Sequence, residues 1–260
     1  MSIHVYRIEC LTNLHIGSGD LSYSVIDNEV EKDPVTDYPI IPSSSLKGAL
    51  RERFKELSPE DRYHIFGPEL KDRDSKKMRA SAYKFFSGDF LSRPLRVTDS
   101  TSARTYMNVT TPQAMTDFLR KMKLLGVDDF PEWEEFDFSE YSFFVPVGSD
   151  VTEMEGEKVG KSDANSALLT ALFGENYAVV KSLDEYELPI TARCYLENGI
   201  SQKLWYEQQV PHESVFYTVI ITPEGEPCAF DEEFSRSLIQ LGGYATIGYG
   251  FTKFEKLREV

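Results

Sequence analysis

Residues 3–11 carry apolar side chains on both alternating faces, Ile3 and Val5 on one and Tyr6, Ile8 and Cys10 on the other. A two-sided pattern of this kind predicts a central rather than an edge strand. Over 45–57 the period changes to that of a helix, with Leu46, Ala49, Leu50, Phe54 and Leu57 forming an apolar stripe. Ser44 or Ser45 is placed to cap it, and Lys47, Arg51 and Lys55 fall on a second face as a basic ridge. Ser58-Pro59 opens a short second helix that stops at Gly67-Pro68, and Thr111-Pro112 opens another whose inner face is Met115, Phe118, Leu119, Met122 and Leu125, ending at Gly126.

Residues 128–161 read as an acidic, irregular insertion, and 162–173 as a helix closed by Gly174. Over 188–222 come two strand segments joined by an Asn198-Gly199 turn and then a strongly β-forming run, SVFYTVIIT. A helix around 231–241 and a strand from 249 to 257 complete the chain. Without insertions the order is strand, helix, hairpin strands, helix, strand, the βαββαβ order of an α+β, ferredoxin-like (RRM-like) domain. We expect one domain over 1–260, with insertions at about 58–180.

The chain has 260 residues, 41% of them hydrophobic and 13% aromatic, enough to fill a sizeable core. The opening residues lack the pattern of a signal peptide, and no apolar run approaches a membrane span. Three scattered cysteines, Cys10, Cys194 and Cys228, argue against a disulfide framework and suit a reducing cytoplasm. The formal charge of -15 is unevenly spread: residues 46–104 carry +5 and hold half of the 28 basic residues. A local basic stripe can bind a phosphate backbone on an acidic molecule, because salt screens distant charge.

Single features do not settle the chemistry. Gly17-Ser18-Gly19 lacks the third glycine of a dinucleotide loop, and no phosphate-loop motif occurs. The acidic group Asp20, Asp27, Glu29, Glu31, Asp33 and Asp37 lacks the calcium-loop pattern and reads more readily as a solvated loop than as a cation site. Taken alone, His15, beside the glycines, reads more readily as a structural histidine, the basic run 71–79 as a solvated loop, and Trp205 as a core residue.

Taken together, the motifs resemble a known family. LHIGSG, then Val25-Ile26-Asp27, then YPIIPSSSLKGALR resembles the N-terminal signature of RAMP-superfamily proteins of type III CRISPR effector complexes. IFGPE at 65–69, SGDF at 87–90 and TYMNVTTPQAMTDFL at 105–119 resemble further elements of it. KLWYEQQVPHESVFY at 203–217 and LIQLGGYATIGYGF at 238–251 resemble the C-terminal signature of the repeated backbone subunits of Cmr-type (III-B) complexes. The chain departs from the family at Gln209, where a tyrosine is usual.

The resemblance implies copies stacked along a CRISPR guide RNA beside other effector subunits, each with a ferredoxin-like palm, an inserted helical region and a β-hairpin thumb, here residues 190–212. It implies cleavage of complementary target RNA at regular intervals through Asp27, with a divalent metal (Mg²⁺ or Mn²⁺) bound there and a 2′,3′-cyclic phosphate as product. His15 and Glu207 are the second-rank catalytic candidates. Gly17, Ser18, Gly19, Ser43, Ser44, Ser45, Lys47, Arg51, Trp205, Gly243, Gly248 and Gly250 are the implied RNA contacts, with Gly242 in the same glycine-rich loop. Two other RNA-related readings are an inactive architectural guide-binding subunit and a metal-independent guide-maturing endoribonuclease using His15. A metabolic enzyme with a small-molecule pocket is possible on composition alone.

Overall fold

The structure, a computed structural model, describes residues 1–19, 25–68 and 80–260. Asp20 of the acidic loop, Glu69 and the basic run 71–79 therefore lie outside the described residues. In chain order the elements are β1 (Ser2–Cys10), α1 (Ser43–Arg53), α2 (Pro59–Phe66), β2 (Lys84–Phe85), β3 (Asp89–Asp99), β4 (Tyr106–Thr110), α3 (Pro112–Leu124), β5 (Phe143–Val145), β6 (Val151–Met154) and β7 (Glu157–Lys161). There follow α4 (Ser166–Phe173), β8 (Tyr177–Val180), β9 (Ile190–Glu197), β10 (Ile200–Gln208), β11 (Val215–Thr222), α5 (Asp231–Arg236), β12 (Ile239–Gln240) and β13 (Phe251–Glu259).

The chain is α+β. β1 lies in the middle of a sheet, antiparallel to β11 on one side and β13 on the other, as its two-sided apolar pattern requires. Val5, Tyr6, Ile8 and Cys10 are all buried. The order continues through β11 to β3, giving β13-β1-β11-β3 at the heart of the sheet. β3 is long enough to belong to two assemblies. Residues 89–92 pair with β11, 93–96 with β4, and 97–99 with β6. From there β4, β8, β5, β7 and β6 lead back to β3, closing a six-stranded ring.

Three expectations are corrected here. The middle strands of the central sheet are β3 and β11, whereas β9 and β10 form their own two-stranded sheet off it. The stretch 128–161, expected to be irregular, supplies β5, β6 and β7, whose individual strands of three to five residues are too short to show a period. The last helix stops at Arg236; Leu238 is exposed, and β12 buries Ile239 against β13 instead.

The helices follow their predicted stripes. α1 buries Leu46 and Leu50, but it begins at Ser43 with Pro42 in the capping position and no side-chain cap, so neither Ser44 nor Ser45 serves as one. α2 starts at Pro59, where Ser58 Oγ accepts from the Asp61 N–H at 3.1 Å and donates to the Asp61 carboxylate at 2.7 Å. α3 is capped by the Thr111 hydroxyl and buries Met115, Phe118 and Met122, with the Phe118 ring meeting Tyr217 edge-on at 4.8 Å. Under α1, α2 and α5 the fully buried Phe230 packs with Phe54, Phe66, Tyr83, Phe85 and Phe234 at 4.8 to 6.0 Å between ring centres.

Between β12 and β13 the chain folds back through the glycine-rich loop. Gly250 donates to the Asn13 carbonyl at 2.8 Å and its carbonyl accepts from Leu241 at 2.8 Å. At φ +78° a Cβ on Gly250 would run into the Leu241 carbonyl, whereas at Gly248, φ +86°, it would meet open space. Gly248→Ala is therefore expected to cost only the left-handed strain, about 1 kcal/mol. Gly250→Ala is expected to cost more than about 3 kcal/mol, because backbone must move as well. Urea unfolding midpoints of the two variants measure the difference.

Candidate functional site

The loop from residue 13 to 19 and the returning segment 25–30 both dock on the base of the β9–β10 hairpin. Leu14 exchanges backbone hydrogen bonds with Val210 at 2.9 and 2.8 Å, and Gly17 bridges to Val30. Asp27 and Asn28 donate their N–H groups to the Tyr206 carbonyl at 3.0 and 3.1 Å, and Gln208 donates to the Asn28 carbonyl at 2.9 Å. The Asp27 side chain takes part as well: Oδ2 accepts from the Tyr206 N–H at 2.8 Å. The carboxylate is thus aimed by backbone on an irregular loop, yet the residue is exposed. Among the described residues Oδ1 receives no hydrogen bond.

Glu207, next along β10, is only 3% exposed. Its Oε2 accepts from Arg193 Nε on β9 and its Oε1 from the Trp205 indole N–H at 2.6 Å. Burial pushes this carboxyl up, but the hydrogen bonds of Trp205, Tyr244 and Arg193 and the Arg193 charge outweigh it and hold the group below the usual range. Arg193 also lies over the rings of Tyr244 and Tyr249, at 5.5 and 5.1 Å from their centres. Burial and the Glu207 bond push the Tyr244 phenol up to about 12. The Tyr249 hydroxyl donates to Gln209 Oε1 at 2.6 Å, and Gln209 Nε2 donates to Thr191 at 2.9 Å. A tyrosine in place of Gln209 would lose both of these amide contacts.

His15 is buried, with Nδ1 2.8 Å from the Gln208 carbonyl and its ring 5.1 Å from that of Tyr244. A carbonyl only accepts, so Nδ1 carries the proton and neutral His15 presents a lone pair at Nε2. Gly17 lies against that nitrogen, where an added Cβ would come within 3.2 Å. The His15 carbonyl accepts from Gly243 at 2.9 Å, and a Cβ on Gly242 would collide with it. A close approach of two backbones fixes glycine at 242.

The structure therefore brings Asp27, His15, Glu207, Gly17, Trp205, Gly243 and Gly250 to one place, the hairpin base. Gly248 sits further along the glycine-rich loop, and Gly19 follows Ser18, whose N–H donates to the Glu29 carbonyl at 3.3 Å. The remaining implied RNA contacts lie on α1. Ser43 and Ser44 are exposed at a helix N-terminus with no acidic residue in its first turn, an arrangement open to phosphate. Lys47 lies over the Phe85 ring at 5.5 Å, and burial beside Arg51 and Lys84 pulls its ammonium down. Arg51 is committed to the C-terminus of α2, donating to the Phe66 and Gly67 carbonyls at 2.6 and 3.1 Å.

Arg193, Tyr244 and Tyr249 escape a reading of the sequence, since an arginine and two tyrosines in distant segments carry no local pattern. Arg93 escapes it too. Its buried guanidinium, pulled down to about 10 by desolvation, has an Nε without a partner among the described residues and faces a cavity shared with Ile26 and Gln208, on either side of the Asp27 anchor. As for a metal, the described residues place no third His, Cys, Asp or Glu around Asp27. One carboxylate with an oxygen that no described residue engages fits a hydrated cation that takes its other ligands from water and phosphate.

The comparisons agree with one another. The CRISPR system Cmr endoribonuclease Cmr4 of Pyrococcus furiosus is 28% identical over 297 residues, spanning 100% of this chain and 97% of that protein. The CRISPR system Cms endoribonuclease Csm3 of Streptococcus thermophilus is 51% identical over 47 residues, 17% of this chain and 21% of that protein. The fold is similar to that of a chain in the type III-B Cmr-beta complex in its apo state, with a TM-score of 0.75 and 20% identity over 98% of this chain and 97% of that one. It is also similar to oligomeric Cmr4 from Pyrococcus furiosus, with a TM-score of 0.70 and 21% identity over 99% and 100% of the two chains. The family model of the RAMP superfamily matches residues 7–255, and the chain belongs to that superfamily.

Proposed function

We propose that the chain is a repeated backbone subunit of a type III-B CRISPR effector: it assembles with further copies and other subunits along a guide RNA and cleaves complementary target RNA. The observation that carries the reading is the Asp27 carboxylate, locked by the Tyr206 N–H at the foot of a hairpin yet open to solvent. The full-length similarity to a protein named as a Cmr endoribonuclease supports it. So does the match to a Cmr-beta complex described as bound to cognate target RNA, whose 19% identity speaks for the fold.

In this reading β13-β1-β11-β3, with α1 and α5 as crossovers, is a ferredoxin-like palm, and β9–β10 is the thumb. Asn198 and Gly199, both at positive φ, make the tight turn at its tip. Ile190, Tyr195, Leu196, Ile200 and Leu204 are exposed along it, an apolar surface suited to stacking against bases. Serine hydroxyls and N–H groups at the start of α1, with Lys47, hold guide phosphates, so base pairing rather than protein reads the sequence. The setting is cytoplasmic, where Cys10, Cys194 and Cys228 stay reduced. No described helix is long and apolar enough to cross a membrane.

Cleavage proceeds by attack of a ribose 2′-hydroxyl on the adjacent phosphate, forming the 2′,3′-cyclic phosphate and expelling the 5′-oxygen of the next nucleotide. Asp27 Oδ1 either accepts the 2′-hydroxyl proton or holds the cation. A bound Mg²⁺ or Mn²⁺ would supply charge stabilisation for the phosphate. Glu207, with both oxygens occupied, positions the hairpin, and His15, held through Nδ1 to the Gln208 carbonyl, positions the loop beside it.

On complex assembled with guide and end-labelled target, Asp27→Ala is expected to lower cleavage at least about 100-fold while target binding persists. Unchanged cleavage on a sequencing gel would remove Asp27 from the site, and full activity in EDTA would remove the metal. Lys47→Ala should weaken guide binding for every sequence alike and reduce the slope of log K against log salt by about 0.7, read by filter binding at several salt concentrations. Glu207→Gln should cost about 2 kcal/mol at pH 7. The wild-type carboxyl titrates lower when folded, so its contribution is present above the unfolded value of about 4.3 and fades as pH falls through the folded one. Chemical unfolding between neutral and acid pH should show the variant less acid-sensitive than wild type.

A further inference from the structure

His4 on β1 is fully buried, and its two ring nitrogens have different surroundings. Nε2 lies 3.1 Å from the Thr222 hydroxyl oxygen. That hydroxyl has one hydrogen, given to the Glu226 carbonyl at 2.7 Å, so Nε2 must donate to it. Neutral His4 then carries no proton at Nδ1, which is buried and has no hydrogen-bond partner among the described residues. The lone pair there faces Glu259 Oε1 at 3.7 Å, an acceptor opposite an acceptor. Desolvation lowers the histidine's proton affinity and favours this neutral form.

Asp231, the first residue of α5, completes the group: one ligand atom from each of His4, Asp231 and Glu259 lies within 4.8 Å of the other two. The cation now serving both carboxylates is Lys256, whose ammonium donates to Asp231 Oδ2 at 2.6 Å and to Glu259 Oε2 at 2.5 Å. Tyr6 donates to Asp231 Oδ1 at 2.5 Å and fixes that carboxylate from behind. An imidazole lone pair held in place by a hydroxyl, with two carboxylates on separate elements, is the donor set of a divalent transition metal rather than of Mg²⁺ or Ca²⁺.

We propose that His4 Nδ1, Asp231 and Glu259 form a second cation site, for Zn²⁺ or a chemically similar ion, which Lys256 occupies with its ammonium until the ion displaces it towards solvent. Ligand distances of about 2.0–2.2 Å require the group to contract, and half-exposed Glu259 is free to do so. Bound there, the ion ties β1, β13 and α5 together, apart from the Asp27 loop and independently of any RNA.

The test uses full-length protein freed of metal with EDTA and titrated with Co²⁺, read by visible absorption, with Zn²⁺ as competitor. One equivalent should bind with the same affinity in wild type and in Asp27→Ala, which removes the other proposed carboxylate ligand. Glu259→Gln, a change at a half-exposed position, should weaken binding by at least about 100-fold. Lys256→Met, which removes the competing charge, should strengthen it. A hundredfold excess of Zn²⁺ over its Kd should raise the wild-type Tm by about 5–10 °C. Absence of a Co²⁺ band in wild type, or an unchanged affinity in Glu259→Gln, overturns the assignment.

Discussion

A carboxylate almost without water holds the hairpin to the rest of the molecule. Glu207 sits where β10 leaves the central body, and its charge is tolerable there only because Arg193 and the Trp205 indole satisfy both oxygens. Arg193 in turn spans from β9 to the rings of Tyr244 and Tyr249 in the glycine-rich loop. One ion pair therefore connects both hairpin strands to the loop between β12 and β13. The same hairpin base carries the backbone groups that aim Asp27, so hairpin and carboxylate form one rigid piece.

That piece depends on close approaches that only small residues permit. Gly242 and Gly243 bring the loop onto the His15 carbonyl, and Gly250 brings it onto Leu241 and Asn13. His15, held through Nδ1 to the Gln208 carbonyl, fills the space between loop and hairpin. The proposed chemistry thus needs little from the core of the protein beyond a firm base. β1, central and paired on both sides, provides it.

β3 extends the same economy to the other half. By pairing with β11 through its first residues and closing the six-stranded ring through its last, it couples two assemblies without a linker. The aromatic cluster around Phe230 and the contact of Phe118 with Tyr217 then fill the space beneath the helices. At the far edge His4, Asp231, Glu259 and Lys256 gather from three elements, a grouping with no counterpart in local sequence.

What the sequence determined by itself is what depends on neighbours along the chain. The two-sided pattern of 3–11 marks a central strand; Ser58-Pro59 and Thr111-Pro112 mark helix starts; Asn198-Gly199 marks the hairpin turn; and the motif set around LHIGSG and WYEQQVP marks the family. What the tertiary structure decided is what depends on partners far away. The strands within 128–161 are too short to show a period and exist because the ring offers them hydrogen bonds. The helix predicted to 241 ends at Arg236, because Ile239 gains more by pairing with β13. Lys47 and Arg51 share a ridge in sequence, but packing spends Arg51 on the end of α2. Glu207 meets Arg193 and Tyr244 only in the folded chain, partners that no spacing rule could bring to it.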